Sequence, residues 1–155
     1  MPKKKVRKMR AATAQIIGTR DFRDNLADYL KLVYIKNHVL RVGKLNRPEE
    51  SALLVPAPIM MELLTNVSFH STVYFDDSTN QYVAAIAELN GDGVGDTKEA
   101  AIAMALDNIE DLVADFFQDI EWQLRSPQQR RLLPHYLKLK MAESREQLAE
   151  LLGLE

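Results

Sequence analysis

The chain has 155 residues, is 46% hydrophobic and 27% charged, carries a net charge of −2 and contains no cysteine. That composition suits a globular protein and excludes disulfides, thiolate chemistry and cysteine-ligated zinc. No apolar run approaches the roughly 20 residues of a membrane span and no signal-peptide core follows the basic start, so a cytoplasmic protein with no membrane contact is expected.

The small net charge hides a division along the chain. Residues 1–47 hold 7 Lys and 6 Arg against 3 Asp, whereas residues 62–121 hold 13 Asp or Glu against Lys98 alone. The basic end suits nucleic acid, and the acidic stretch suits something basic. Residues 1–11 read as a basic arm, with six cations in MPKKKVRKMR. Such an arm can neutralise phosphates, with binding that weakens as salt rises. Lys3, Lys4, Lys5 and Arg7 are its candidate DNA contacts. KKKVRK also resembles a nuclear-localisation peptide, and a solvated tail is the plain alternative.

Thr19 to Lys44, TRDFRDNLADYLKLVYIKNHVLRVGK, reads as a basic amphipathic helix running into a strand. Phe22, Leu26, Tyr29, Leu30, Val33 and Tyr34 follow the 3.6-residue repeat that buries one helix face. Thr19 is expected to cap the helix, and Asp21 and Asp24 suit its positive end. Arg20 and Arg23 project from the first turn, where a helix end can meet phosphate. Taken alone, they are better read as surface charges on a core helix; only the basic arm, the regional charge and the resemblance below together favour DNA contact. HVLRV then reads as a strand, GKLNRPEE as a turn and SALLV as a second strand, with Pro56 or Pro58 opening a short helix PIMMELL. The expected order is strand, helix, hairpin, helix. Tyr29, Tyr34 and Met60 are candidates for the core or a dimer contact.

The run RDFRDNLADYL, followed by VLRVGK, a polar turn and ALLVPAPIMMELL, resembles the Phd/YefM group of bacterial antitoxins over residues 12–66. Arg23, Asn25 and Leu26 match that group's Arg-x-Asn-Leu signature, and Lys44 matches the basic residue ending its second strand. The resemblance implies a small sheet with helices, paired as a dimer on operator DNA. Arg20, Arg23, Lys44 and Arg47 would then carry the DNA contacts. Two departures are a longer turn from Lys44 to Glu50 and the additional N-terminal arm.

TNVSFHS, residues 65–71, reads as a linker. STVYF and QYVAAIAEL bracket a DDSTN hairpin turn, and NGDGVG is a glycine-rich loop. DTKEAAIAMALDNIEDLVADFFQDI is a helix, with Asp96 and Glu99 in capping-box spacing and Ile102, Leu106, Ile109, Val113 and Phe116 as its apolar stripe. The opposite face carries Asp107, Glu110, Asp111 and Asp115, which meet water or a basic partner.

The hairpin, the glycine loop, Gly95-Asp96-Thr97 and the Glu99-Ala100 helix start together are similar to the HicB antitoxin domain, a partial ribonuclease-H-like fold. The similarity covers about residues 71–119 and departs at Leu89-Asn90-Gly91-Asp92-Gly93. It implies a lid or docking surface for a partner protein, often a small basic ribonuclease toxin.

Catalysis is weakly signalled. Asp76, Asp77, Asp92, Asp96 and Glu99 could together hold a hard metal, but turn formation and helix capping account for several of them. His38, His70 and His135 lack catalytic neighbours in the sequence, and GDGVG has no lysine of a phosphate-binding loop.

The tail, residues 126–155, contains QQRRLLPHYLKLKM and SREQLAELLGLE. Ser144 and Gln147 form a second capping box, Leu148, Leu151 and Leu152 a stripe, and Gly153 a stop. SREQLAELLGL is similar to the start of a helix-turn-helix domain, without its recognition helix. Packing, toxin binding or a vestige are the three readings, with simple packing the plainest.

The expectation is therefore an α+β protein of two small domains, residues 12–66 and 71–121, with a helical tail. Its expected role is a non-enzymatic, cofactor-free antitoxin. As a homodimer or higher homo-oligomer it would bind operator DNA for autorepression and neutralise a cognate toxin. Asp107, Glu110, Asp111, Asp115, Leu148, Leu151 and Leu152 are its candidate partner contacts. The alternative is a protein-interaction module whose basic end binds nucleic acid nonspecifically.

Overall fold

A computed structural model of the chain describes residues 16–155; the arm and its Lys3, Lys4, Lys5 and Arg7 lie outside the described residues. The protein is mixed α+β, with two three-stranded sheets and seven helices among the described residues. It divides into two compact units at residues 60/61.

In the first unit, β1 (Ile17–Gly18) leads into α1 (Thr19–Asp24) and α2 (Leu26–Lys36), followed by β2 (Leu40–Lys44) and β3 (Arg47–Leu54). β1 pairs parallel to β2, and β2 pairs antiparallel to β3. The expected single helix is therefore two, with the break at Asn25 (φ −126°, ψ 28°). The Asn25 side chain donates to the Asp21 carbonyl at 3.1 Å and to Asp21 Oδ1 at 2.9 Å, a local bonding pattern that competes with helix continuation. Thr19 does not cap the helix: Gly18 holds the N-cap position without a side-chain bond.

The hairpin also differs from expectation. Its turn is only Leu45–Asn46, and β3 begins at Arg47, so Lys44 to Glu50 is not one long turn. Gly43 pairs with Ser51 but Lys44 pairs with Arg47, which pushes Pro48 to Glu50 out as a bulge. Proline has no amide hydrogen for a ladder, and this bulge accommodates it. α3 (Ala57–Leu63) follows. Among the described residues of the first unit little is buried: Val33 is the one buried residue of α1 and α2, and Leu40 joins it from β2. Tyr34 is 72% exposed and does not belong to the core.

In the second unit β4 (Ser71–Asp76), β5 (Gln81–Ile86) and β6 (Gly93–Gly95) form an antiparallel sheet, with α4 (Lys98–Gln118) across one face. NGDGVG is thus partly a strand. A Cβ on Gly93 would lie 2.1 Å from the Ala101 carbonyl oxygen and 2.2 Å from the Ala105 nitrogen, so only glycine lets β6 approach the helix so closely. The α4 cap is Thr97, accepting from the Ala100 amide at 3.1 Å, and not Asp96 as expected.

The expected linker is fastened down. The Val67 carbonyl accepts from Lys138 Nζ at 2.5 Å, Phe69 meets the His135 ring edge-on at 5.3 Å, and the His70 amide donates to Glu88 at 2.9 Å. α5 (Ile120–Gln123), α6 (Pro127–Lys140) and α7 (Arg145–Leu152) complete the unit. Ser126 caps α6, Ser144 caps α7, and Gly153 ends α7 at φ 69°. Phe116 stacks on Tyr136 with ring centres 4.1 Å apart, at the centre of a core that includes Ile86, Ile109, Leu148, Leu152 and Leu154.

Replacing Gly93 by Ala is expected to cost about 3 kcal/mol, because the obstruction is backbone and cannot swing aside. Gly153→Ala meets no neighbour within 4 Å and should cost only about 1 kcal/mol, for the left-handed backbone. Urea unfolding of both variants checks the ranking.

Candidate nucleic-acid and partner interfaces

The first candidate surface is a basic corner of the first unit. Leu45, at the hairpin turn, lies 3.5 Å from where a Cβ on Gly18 would stand, so the turn sits at the start of α1. Arg20 and Arg23 on α1 and Lys44 and Arg47 on the hairpin therefore share one end of the unit. All four are exposed.

Each cation has a carboxylate beside it. Arg23 Nε donates to Asp24 at 3.1 Å, and Arg20 Nε lies 3.9 Å from the other Asp24 oxygen. Arg47 donates to Glu50 at 2.8 Å, and Lys44 Nζ donates to the second Glu50 oxygen. Arg47 first, and then Lys44, hold the Glu50 carboxyl below the usual range. Exposed pairs of this kind contribute little stability and exchange readily for phosphate.

Arg41 was not among the residues expected here. Its Nε donates to Ser51 Oγ at 2.8 Å and its Nη2 to the Pro48 carbonyl at 2.8 Å, so it braces the bulge beneath Lys44 and Arg47. The alternation of buried Leu40 with exposed Arg41 is the sequence signal that marks it as outward-facing.

A carboxylate fastens α1 to α2. Tyr29 stacks on Phe22 at 5.7 Å and donates its hydroxyl to Asp21 Oδ2 at 2.6 Å. That hydrogen bond, followed by partial burial and the Asp21 charge, pushes the Tyr29 phenol up to about 12.

The second surface is the acidic face of α4. Asp107, Glu110, Asp111 and Asp115 are all exposed. Arg145 at the start of α7 engages two of them: Nη1 lies 2.7 Å from Asp107 and 3.3 Å from Glu110, while Nη2 donates to the Ala103 carbonyl at 2.8 Å. Hydrogen bonding to Asp107 is the leading cause that raises the Arg145 guanidinium above its ordinary value. Among the described residues, Asp111 and Asp115 make no ion pair.

Leu148 and Leu152 require correction as partner contacts. They are 5% and 1% exposed and belong to the core, so a partner cannot reach them; Leu151 is half-buried.

The five carboxylates weighed for metal binding do not converge: among the described residues no cluster of three or more His, Asp or Glu is placed to hold an ion. Asp76 accepts from the Ser78 hydroxyl at 2.6 Å and amide at 2.9 Å, which together hold its carboxyl down. Asp92 accepts from the Ile86 amide at 3.2 Å. At Glu88 burial pushes the carboxyl up, but hydrogen bonds from the His70 amide and ring outweigh it and leave the group lowered.

This α+β arrangement is that of an antitoxin fold. A crystal structure from Syntrophomonas wolfei subsp. wolfei, of an antitoxin part assigned to a toxin/antitoxin system, superposes with a TM-score of 0.70 over 88% of this chain and 95% of that one, at 16% identity. At that identity the likeness is one of fold. No curated protein matches the chain. The model of the PHD-like family, "Antitoxin of toxin-antitoxin, RelE / RelB, TA system", matches residues 12–153, and the chain belongs to that family. One family model thus spans both units.

The Tyr29 contact has a defined pH signature. Its folded value lies above the ordinary 10.0, so its contribution to stability is complete below pH 10 and is lost as pH rises toward 12. Ultraviolet difference titration of the wild type against Tyr29→Phe is expected to show one tyrosine ionising near pH 12, and Asp21→Ala should return it toward 10.

Proposed function

We propose that this antitoxin binds operator DNA as a dimer to repress its own operon, and neutralises its toxin by protein–protein contact through the second unit. The proposal takes residues 12–66 as a Phd/YefM-type module, residues 71–121 as a HicB-like module and residues 126–155 as its helical tail. The protein acts in the cytoplasm and without catalysis. Among the described residues no helix is long and apolar enough to cross a membrane.

The observation that carries the DNA reading is the gathering of Arg20, Arg23, Lys44 and Arg47 at one corner of the first unit, where α1 begins beside the hairpin turn. Phosphate contacts from such a corner position a protein, and one or two arginines or lysines reaching base edges supply discrimination of about 1–3 kcal/mol each. Dimerisation is supported by the thin core of this unit and by the apolar side chains it leaves outside, Tyr34 at 72% and Ile35 at 74% exposed. A symmetric pair covers such a surface with itself. For the second unit, the support is the acidic α4 face, whose charge speeds encounter with a basic toxin while apolar contacts hold it.

Fluorescence anisotropy against the duplex upstream of its own gene and a scrambled duplex, at two salt concentrations, tests the DNA reading. Wild type is expected to prefer the upstream duplex at both salts. Arg23→Ala with Lys44→Ala is expected to abolish that preference and lower the salt slope by about 2. Equal, salt-labile binding to both duplexes by the wild type would favour a nonspecific interaction module instead.

A further inference from the structure

Residues 87–92 join β5 to β6, and two residues of this loop are anchored in the second unit. Leu89 is 4% exposed in the core, and its amide donates to the Ile86 carbonyl at 3.1 Å. Gly91 is buried against α4: a Cβ there would stand 2.3 Å from Ile109 Cδ1 and 3.3 Å from Leu112 Cδ1. Between these two anchors, Asn90 is exposed.

Asn90 is the one asparagine of the chain that is followed by glycine. A glycine presents no side chain to shield its own nitrogen from the carboxamide before it. Among the described residues, neither the Asn90 side chain nor the Gly91 amide has a hydrogen-bond partner. The neighbouring Asp92-Gly93 pair has the same spacing but is held. Asp92 Oδ1 accepts from the Ile86 amide at 3.2 Å, the Asp92 carbonyl accepts from Asn108 Nδ2 at 2.7 Å, and Gly93 pairs with Ala84 in the sheet.

We propose that Asn90 is a site of spontaneous deamidation, and that its isoaspartyl product loosens the second unit as the protein ages. The Gly91 nitrogen attacks Asn90 Cγ, and the new bond closes a succinimide ring. The bond from Cγ to Nδ2 breaks, and the Gly91 amide proton leaves with that nitrogen as ammonia. Water then opens the ring, at Cγ to give aspartate or at the main-chain carbonyl to give isoaspartate. Either product gains one carboxylate, and no oxidant or reductant takes part. Isoaspartate routes the main chain through its own Cβ and Cγ, so an extra carbon enters between Leu89 and Gly91. Both are seated in a close-packed core, which has no room for the added length. The seat of Gly91 on Ile109 also excludes the larger side chain that would suppress the reaction.

The test uses the full chain, aged in neutral buffer and followed by tandem mass spectrometry, with isoaspartate counted by enzymatic methylation. A second sample is aged unfolded in guanidinium chloride. Asn90 is expected to deamidate in the native chain within about tenfold of its unfolded rate, a barrier difference of about 1.4 kcal/mol, while Asp92 stays unisomerised. The deamidated fraction, separated by ion exchange, is expected to melt about 5 °C below fresh protein, and aged Asn90→Ser within about 1 °C of its fresh form. Fresh Asn90→Asp carries the new charge without the extra carbon and is expected to melt with fresh wild type.

Native deamidation slower than the unfolded rate by more than about tenfold would mean that the loop protects Asn90, and would overturn the site. Equal modification of the other asparagines in the native chain would overturn the selection of Asn90. A deamidated fraction that melts with fresh wild type would overturn the loosening. So would a fresh Asn90→Asp that melts as low as that fraction, because charge alone would then account for the loss.

Discussion

The separation between the second sheet and α4 is governed by Gly93. Because it lacks a side chain, β6 presses against the backbone of Ala101 and Ala105, two alanines that are themselves fully buried. Small residues on both sides bring helix and sheet unusually close, and a close-packed interior transmits that spacing to its neighbours. Ile109, Val113 and Phe116 then lie where α6 and α7 can reach them, and Phe116 stacks on Tyr136. With that face of α4 consumed by packing, its acidic residues have only the outside left. The position of the acidic surface is thus a result of how the core closes.

The two units solve burial differently. The second has a continuous core drawn from its sheet and several helices, so the energy of apolar burial is available within the unit. The first buries Val33 and Leu40 but leaves Ile35, Leu45 and Leu53 largely exposed. It relies instead on local polar fastening: Asp21 joined to Asn25 and Tyr29, and Arg41 spanning Ser51 and Pro48. Such exposed bonds each contribute modestly, and a unit held this way gains most from any contact that covers its apolar side chains.

Much of the second unit was legible in the residues, because α4 is long and its apolar spacing repeats over about four turns. The DDSTN turn between two apolar strands was equally plain. Three features were hidden for separate physical reasons. Asp96 and Thr97 are both good capping residues, and local sequence does not choose between adjacent caps; the backbone places Thr97 there. Gly93 to Gly95 look like a loop because glycine is read as conformational freedom, whereas here it provides clearance. Leu148 and Leu152 repeat as one helix stripe, and periodicity identifies an apolar face without telling whether the chain itself or another molecule covers it. In the first unit Asn25 broke an otherwise good helical pattern through its own side-chain bonds, and Pro48 disguised the start of β3 by forming a bulge. The basic residues of the corner could be named one by one, but their meeting depends on Leu45 reaching Gly18, a contact between residues 27 positions apart.

The burial of Leu148, Leu152 and Leu154 with Ile86 and Ile109 sets the order in which the protein can be completed during synthesis. A ribosome adds roughly 5–20 residues per second, and domains form as their chain emerges. All residues of the first unit through Met60 are made well before Leu154, so that unit has its full chain while the second still lacks part of its core. Until α7 is made, β4–β6 and α4 lack side chains that cover part of their apolar surface, and the core of the second unit is complete only with α7 present. Nascent chains of this protein consequently pass through a stage in which the basic half is complete and the acidic half is still open.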